Sequence, residues 1–169
     1  AEGAVVTGSD AGSSRITQDL QKEGVTVYYG HSIVHVSSDT DLVIYSIAVI
    51  DSNPELQEAK KRGVTCMTYP EALGLLTKEY TTIAVCGTHG KTTTTAMIAS
   101  MLQACGKSPT VIVGSLLKEG GLIAPESNGA TPDQAKLGIR TNFVQGTSEY
   151  LVVEACEYKR SFLNLTPTY

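Results

Sequence analysis

The chain has 169 residues, 41% of them hydrophobic and 18% charged, with a formal net charge of −4. That balance describes one ordinary globular domain or two small ones and excludes a disordered chain. A basic cluster no larger than Lys60-Lys61-Arg62 argues against a nucleic-acid partner, and no apolar run approaches the ~20 residues of a membrane-spanning helix.

No basic-then-apolar leader precedes the first predicted strand, so the expectation is a cytoplasmic protein. The cysteines Cys66, Cys86, Cys105 and Cys156 are widely spaced and include no C-x-x-C pair. They read as small buried residues in a reducing compartment rather than as zinc ligands.

In chain order, residues 4–7 read as a strand running into Gly8-Ser9-Asp10, followed by a helix over 16–23 that Gly24 stops. Strand 25–28, a turn at Gly30-His31 and strand 42–46 come next. Pro54 opens a helix to Arg62, Gly63 closes it, residues 64–67 form a strand, and Pro70 opens a helix to about Lys78. Strands alternating with helices on short connections predict a parallel, doubly wound α/β domain over 1–78. Asp10, at a strand end, suits either a ribose hydroxyl or a helix cap, with Ser13 and Ser14 competing for the cap. His35 reads as a surface or packing residue.

A second α/β unit, 79–169, opens with the apolar run Thr82-Ile83-Ala84-Val85-Cys86, then Gly87-Thr88-His89-Gly90-Lys91-Thr92-Thr93, then a helix to about Ala104. Strand, glycine-bearing turn, Lys-Thr and helix in that order describe a phosphate-binding loop. Gly87 and Gly90 let backbone amides close around an anion, and the helix aims its N–H groups and positive dipole end at it. Lys91 adds charge for the outer phosphates, and the Thr92 hydroxyl suits magnesium. A turn needing glycine only for its shape would leave the lysine and the threonines unexplained. His89 reads equally as a donor to a phosphate or acyl group and as a loop residue bonded to the backbone.

Further on, residues 110–114 predict a strand, and 115–148 a functional loop or a segment containing a hairpin. Strand 150–153 runs into Glu154, and a further strand is due where the sequence reaches Thr168-Tyr169. An acid at the C-terminal end of a strand lies on the edge where open α/β sheets bind ligands. Beside the loop strand, Glu154 would hold magnesium; otherwise it is a solvated or capping strand-end residue. Glu157 is the weaker candidate, with Lys159 and Arg160 as surface partners.

The short form GTHGKTT, with Thr88 and His89 alone between the glycines, resembles the ATP loop of the Mur ligases. GSD at 8–10, GH at 30–31, SNPEL at 52–56, GTHGKTTTTAM at 87–97 and VVEACEYKRSFLNLTP at 152–167 fall in that family's order. They resemble the branch that joins L-alanine to UDP-N-acetylmuramate. The resemblance implies a piece of a longer enzyme: a Rossmann-like UDP-substrate domain whose first strand and glycine-rich loop lie ahead of Ala1, then the start of a P-loop ATPase domain. It implies ATP on Gly87, Thr88, His89, Gly90, Lys91, Thr92 and Thr93, with Lys91 and His89 at the chemistry. Magnesium falls on Thr92 and Glu154, and substrate contacts on Ser9, Asp10 and His31. Cys156, in EACE, is a neutral variant rather than a nucleophile. The remaining metal ligands and the acceptor domain would follow Tyr169, so the piece alone is expected to be inactive. A murein peptide ligase, a nucleotide-binding module without ligase activity and a P-loop kinase are the competing readings.

Overall fold

The computed structural model describes residues 3–114, 142–156 and 158–169. The chain divides into two compact units, Ala1–Tyr69 and Pro70–Tyr169.

In the first unit, β1 (Thr7–Asp10) pairs in parallel with β2 (Thr26–Tyr29), Thr7 opposite Thr26 and Asp10 opposite Tyr29. Helix α1 (Arg15–Lys22) connects them. Its N-cap is Ser14, whose hydroxyl accepts from Thr17 N–H while Thr17 Oγ1 accepts from Ser14 N–H, a reciprocal capping box. The strand expected at 4–7 therefore begins only at Thr7. Val5 and Val6 are β-prone but stand exposed outside the sheet, because the register with β2 gives partners to Thr7, Gly8, Ser9 and Asp10.

The same unit repeats the pattern. β3 (Leu42–Tyr45) pairs in parallel with β4 (Thr65–Thr68) through α2 (Pro54–Lys61). Asn53 caps α2, its side chain accepting from Glu55 N–H and Leu56 N–H, and Pro54 supplies the fixed φ of the first helical position. A 3-10 turn over Ile33–His35, absent from the sequence reading, lies between β2 and β3. Among the described residues the four strands form two separate parallel pairs. Paired strands alone cover little surface, which is why the buried apolar set here is as small as Val36, Leu56 and Ala59 while Leu42, Ile44 and Ile50 stay exposed.

The second unit carries α3 (Tyr69–Leu76) from its second residue on, β5 (Thr81–Val85), α4 (Lys91–Ala104), β6 (Thr110–Ile112), β7 (Phe143–Val144) and β8 (Tyr150–Glu154). The sheet order is β5-β8-β6-β7, with β8 parallel to β5 and β6, and β7 antiparallel to β6. Inside the sheet, β8 buries Leu151, Val152 and Val153 completely, the pattern of a strand covered on both faces. Ala99 of α4 packs on Val111, Val113 and Val152, with Ile83, Ile98, Leu102 and Val144 around them. Of the long connection, 115–141 lies outside the described residues; the remainder contains β7. The strand due at Thr168-Tyr169 is present as edge bonding only: Thr168 and Tyr169 N–H donate to Thr82 O at 2.8 and 3.1 Å, and Ala84 N–H to Tyr169 O at 3.1 Å.

The cysteines depart from expectation. All four are free thiols, Cys66 half-buried and Cys86, Cys105 and Cys156 exposed. Each exposed one sits just past a strand or helix end, where the chain leaves the core. No helix among the described residues is long and apolar enough to cross a membrane.

Candidate functional site

β5 delivers the chain to an exposed loop, Cys86 to Gly90, and α4 starts at Lys91. Gly90 is the N-cap at φ 77°, ψ 0°, and Gly87 has φ 142°, both backbone states that side chains rarely adopt. No side chain caps α4, so its 14-residue dipole opens onto the loop. Thr88 and His89 are exposed between the glycines. Lys91 and Thr92 are half-buried in the first turn, and Thr93 is exposed. Lys91 Nζ donates to Gly87 O at 2.7 Å, so the lysine lies back across the loop.

Glu154 comes to the same place along the neighbouring strand. Val85, the last residue of β5, stands opposite Glu154, the last of β8. The Glu154 carboxylate accepts from Thr92 Oγ1 at 2.8 Å and from Gly114 N–H at 3.1 Å, both on Oε2. Three parts of the unit thus meet at one oxygen: the α4 N-terminus, the end of β8 and Gly114, two residues past β6. The donor set fits magnesium, a hard cation that takes one or two carboxylates plus phosphate oxygens and water. Among the described residues no three His, Cys, Asp or Glu side chains cluster as a full protein cage would require. Glu157 lies outside the described residues. Lys159 and Arg160 adopt left-handed φ of 48° and 59° inside a 3-10 stretch, Tyr158–Asn164, that follows β8.

In the first unit a cleft of about 830 Å³ runs past the ends of β1 and β3 and the start of α2, lined in part by Ser9, Asp10, His31, His35 and Glu55. Ser9 and His31 are in contact, Oγ to Nδ1 at 3.3 Å. Asp10 caps no helix; its Oδ1 accepts from Gly12 N–H at 3.1 Å and shapes the turn before α1. Glu55, which the sequence reading passed over, is the centre of this cluster. It accepts from Ser9 Oγ, from Ser32 N–H at 3.1 Å and from His35 Nδ1 at 2.7 Å. Burial raises the Glu55 pKa, but the hydrogen bonds from Ser9, His35 and Ser32 outweigh it and hold the carboxyl below the usual glutamate value. The Tyr28 ring stacks on His35, centroids 4.2 Å apart and planes 4° from parallel. The available signal was Asn53-Pro54-Glu55, an acid in the first turn of a capped helix, which marks a helix start without naming its distant partners.

Two family models match the chain in succession: the Mur ligase family, catalytic domain, over residues 1–81, and the Mur ligase middle domain over 85–166. Between them they take in nearly every residue. The chain belongs to the Mur ligase family. Among curated Mur ligases it is 43% identical over 167 residues to the UDP-N-acetylmuramate–L-alanine ligase of Caldicellulosiruptor saccharolyticus, covering 98% of this chain and 32% of that one. It is 40% identical to the protein of that name from Agathobacter rectalis, covering 99% and 33%. The chain therefore spans about a third of the length of these relatives. Among solved structures, the UDP-N-acetylmuramate-alanine ligase of Thermotoga maritima aligns with a TM-score of 0.72 at 31% identity, over 96% of this chain and 34% of that one. A murein peptide ligase from Psychrobacter arcticus aligns at 0.76 and 28%, over 96% and 36%. The Mur ligase fold accounts for both the parallel α/β units and their order along the chain.

Proposed function

We propose that this chain carries the UDP-substrate domain (1–78) and the front of the ATP-binding domain (79–169) of a ligase that joins L-alanine to UDP-N-acetylmuramate in cell-wall precursor synthesis. The observation that carries it is the meeting of Thr92 and Glu154 beside the Gly87–Gly90 loop, in a chain whose curated relatives bear that enzyme's name. Family membership supports ATP as the nucleotide and the cytoplasm, where UDP-sugars and ATP are made, as the compartment.

The residues suit the chemistry. A muramate carboxylate oxygen attacks the γ-phosphorus of ATP and ADP leaves; the alanine amine, giving up a proton, attacks the acyl carbon and phosphate leaves. The first displacement brings two anions together, so the site must supply positive charge. Lys91 and the α4 N-terminus supply it, and Gly87 and Gly90 let the backbone close on the phosphates. Thr92 and Glu154 would hold magnesium, which neutralises charge on the phosphate oxygens when bound. His89, exposed on the loop, would donate to a phosphate or acyl oxygen. Ser9, Asp10 and His31 hold the UDP sugar in the first unit.

The test is phosphate release by the whole protein with ATP, magnesium and UDP-N-acetylmuramate, with L-alanine, a murein tripeptide or no acceptor. Stimulation by L-alanine alone is expected. Stimulation by the tripeptide alone would assign the chain to the murein peptide ligases, whose solved structure it matches equally well. No stimulation by either would leave a nucleotide-binding module.

A further inference from the structure

Glu55 sits in the first turn of α2, yet its partners come from two other places. Ser9 lies in β1, and Ser32 and His35 lie in the turn beyond β2. These are the carboxyl ends of parallel strands, the edge where open α/β sheets receive ligands. The carboxylate is spent on both sides: Oε1 takes Ser32 N–H and His35 Nδ1–H, and Oε2 takes the Ser9 hydroxyl hydrogen.

That assignment has a consequence for His31. An ionised carboxylate only accepts, and a serine hydroxyl has one hydrogen to give. With that hydrogen committed to Glu55, the 3.3 Å contact between Ser9 Oγ and His31 Nδ1 is a hydrogen bond only if His31 Nδ1 carries the hydrogen. Glu55 Oε1, 3.7 Å from His31 Nδ1, favours the same placement. In the neutral Nδ1–H tautomer of His31, Nε2 is the acceptor, and Ser9 Oγ retains lone pairs alone. Both side chains line the cleft.

We propose that Glu55 is a positioning residue for the sugar-nucleotide site, fixing the His31 tautomer and the Ser9 hydroxyl so that this edge of the cleft presents acceptors. It would read N–H and O–H donors of the ligand, such as the uracil imide or sugar hydroxyls, rather than its diphosphate. The inference rests on the reading of the first unit as the UDP-substrate domain.

Glu55→Gln tests it. A glutamine has one acceptor oxygen and turns an NH₂ toward at least one existing donor, so the network must break on one side. Ser9→Ala removes the middle link without touching α2 and serves should the glutamine variant fold poorly. Long-range ¹H–¹⁵N spectra of the whole protein report the tautomers of His31 and His35, and calorimetry with UDP-N-acetylmuramate and with ATP reports binding. The expected result is an Nδ1–H tautomer at His31 in the parent, lost in either variant. UDP-N-acetylmuramate binding should weaken at least tenfold, with ATP binding unchanged. An unchanged tautomer, or unchanged UDP-sugar affinity in a folded variant, overturns the positioning role while leaving the substrate reading intact. A parent protein that does not bind UDP-N-acetylmuramate overturns the substrate reading and this inference with it.

Discussion

Replacing Glu154 by glutamine separates a metal-holding carboxylate from a strand-end one. The substitution keeps the shape at the end of β8 but removes the charge beside Thr92 Oγ1. As a hydrogen-bond acceptor Glu154 loses little more than charge assistance: bonds to charged groups contribute about 1.5–3 kcal/mol and neutral ones about 0.5–1.5. Two such bonds at a half-buried position put the stability cost at roughly 1–2 kcal/mol after allowance for solvent screening. The effect on a bound cation is larger. Two unit charges about 4 Å apart at an effective dielectric near 20 attract by about 4 kcal/mol, and a divalent ion doubles that. Even a third of the single-charge figure corresponds to roughly a tenfold change in affinity. Titrating magnesium into the protein with ATP should therefore show the midpoint shifted upward at least tenfold in Glu154→Gln, with binding of UDP-N-acetylmuramate unchanged. Superimposable magnesium titrations in a folded variant would refute the reasoning and leave Glu154 a structural residue joining α4 to the end of β6.

Other outcomes follow from the first unit. Leu56 is only 2% exposed and belongs to a small buried set, so Leu56→Ala should cost about 2–5 kcal/mol by urea denaturation; a loss below about 1 kcal/mol would mean that the site collapses freely. Since the Glu55 carboxyl is held below its ordinary value, its ionised form stabilises the fold above the unfolded-state pKa, and that contribution is lost as pH falls through the lower folded value. Urea midpoints of the parent and Glu55→Gln should therefore differ at pH 7 and converge below about pH 4; a constant difference down to pH 3 would contradict the assignment.

How much of this could be read from the sequence depended on the range of the interaction. Local punctuation was legible: Gly24, Gly63 and Gly106 all take positive φ just past helix ends, and Asn53-Pro54 starts α2 as its residue types require. The strand-loop-helix order around the candidate phosphate loop was legible for the same reason, because strand, glycines, Lys91-Thr92 and helix are contiguous. Glu154 was legible only through the adjacency of β8 to β5, a guess about topology that the register bears out. What pairing decides was harder. Val5-Val6 attracted a strand, yet β2 offers partners only from Thr7 onward. The Glu55 cluster spans 46 residues from Ser9, and no local pattern joins a helix-start glutamate to a strand-end serine. The cysteines were misplaced because residue type says buried, while their positions beyond strand and helix ends expose three of them.

The central claim is that the loop from Gly87 to Thr93 binds the phosphates of ATP. Its most direct measurement is ATP affinity, by calorimetry with magnesium, of the protein and of Lys91→Ala. Lys91 is half-buried in the first turn of α4 and donates to Gly87 O, and alanine is a good helix former, so the variant should keep its circular dichroism. The account predicts ATP affinity reduced on the order of a hundredfold, the scale for removing one key electrostatic donor, with UDP-N-acetylmuramate binding retained. Equal ATP affinity in the two folded proteins would contradict it.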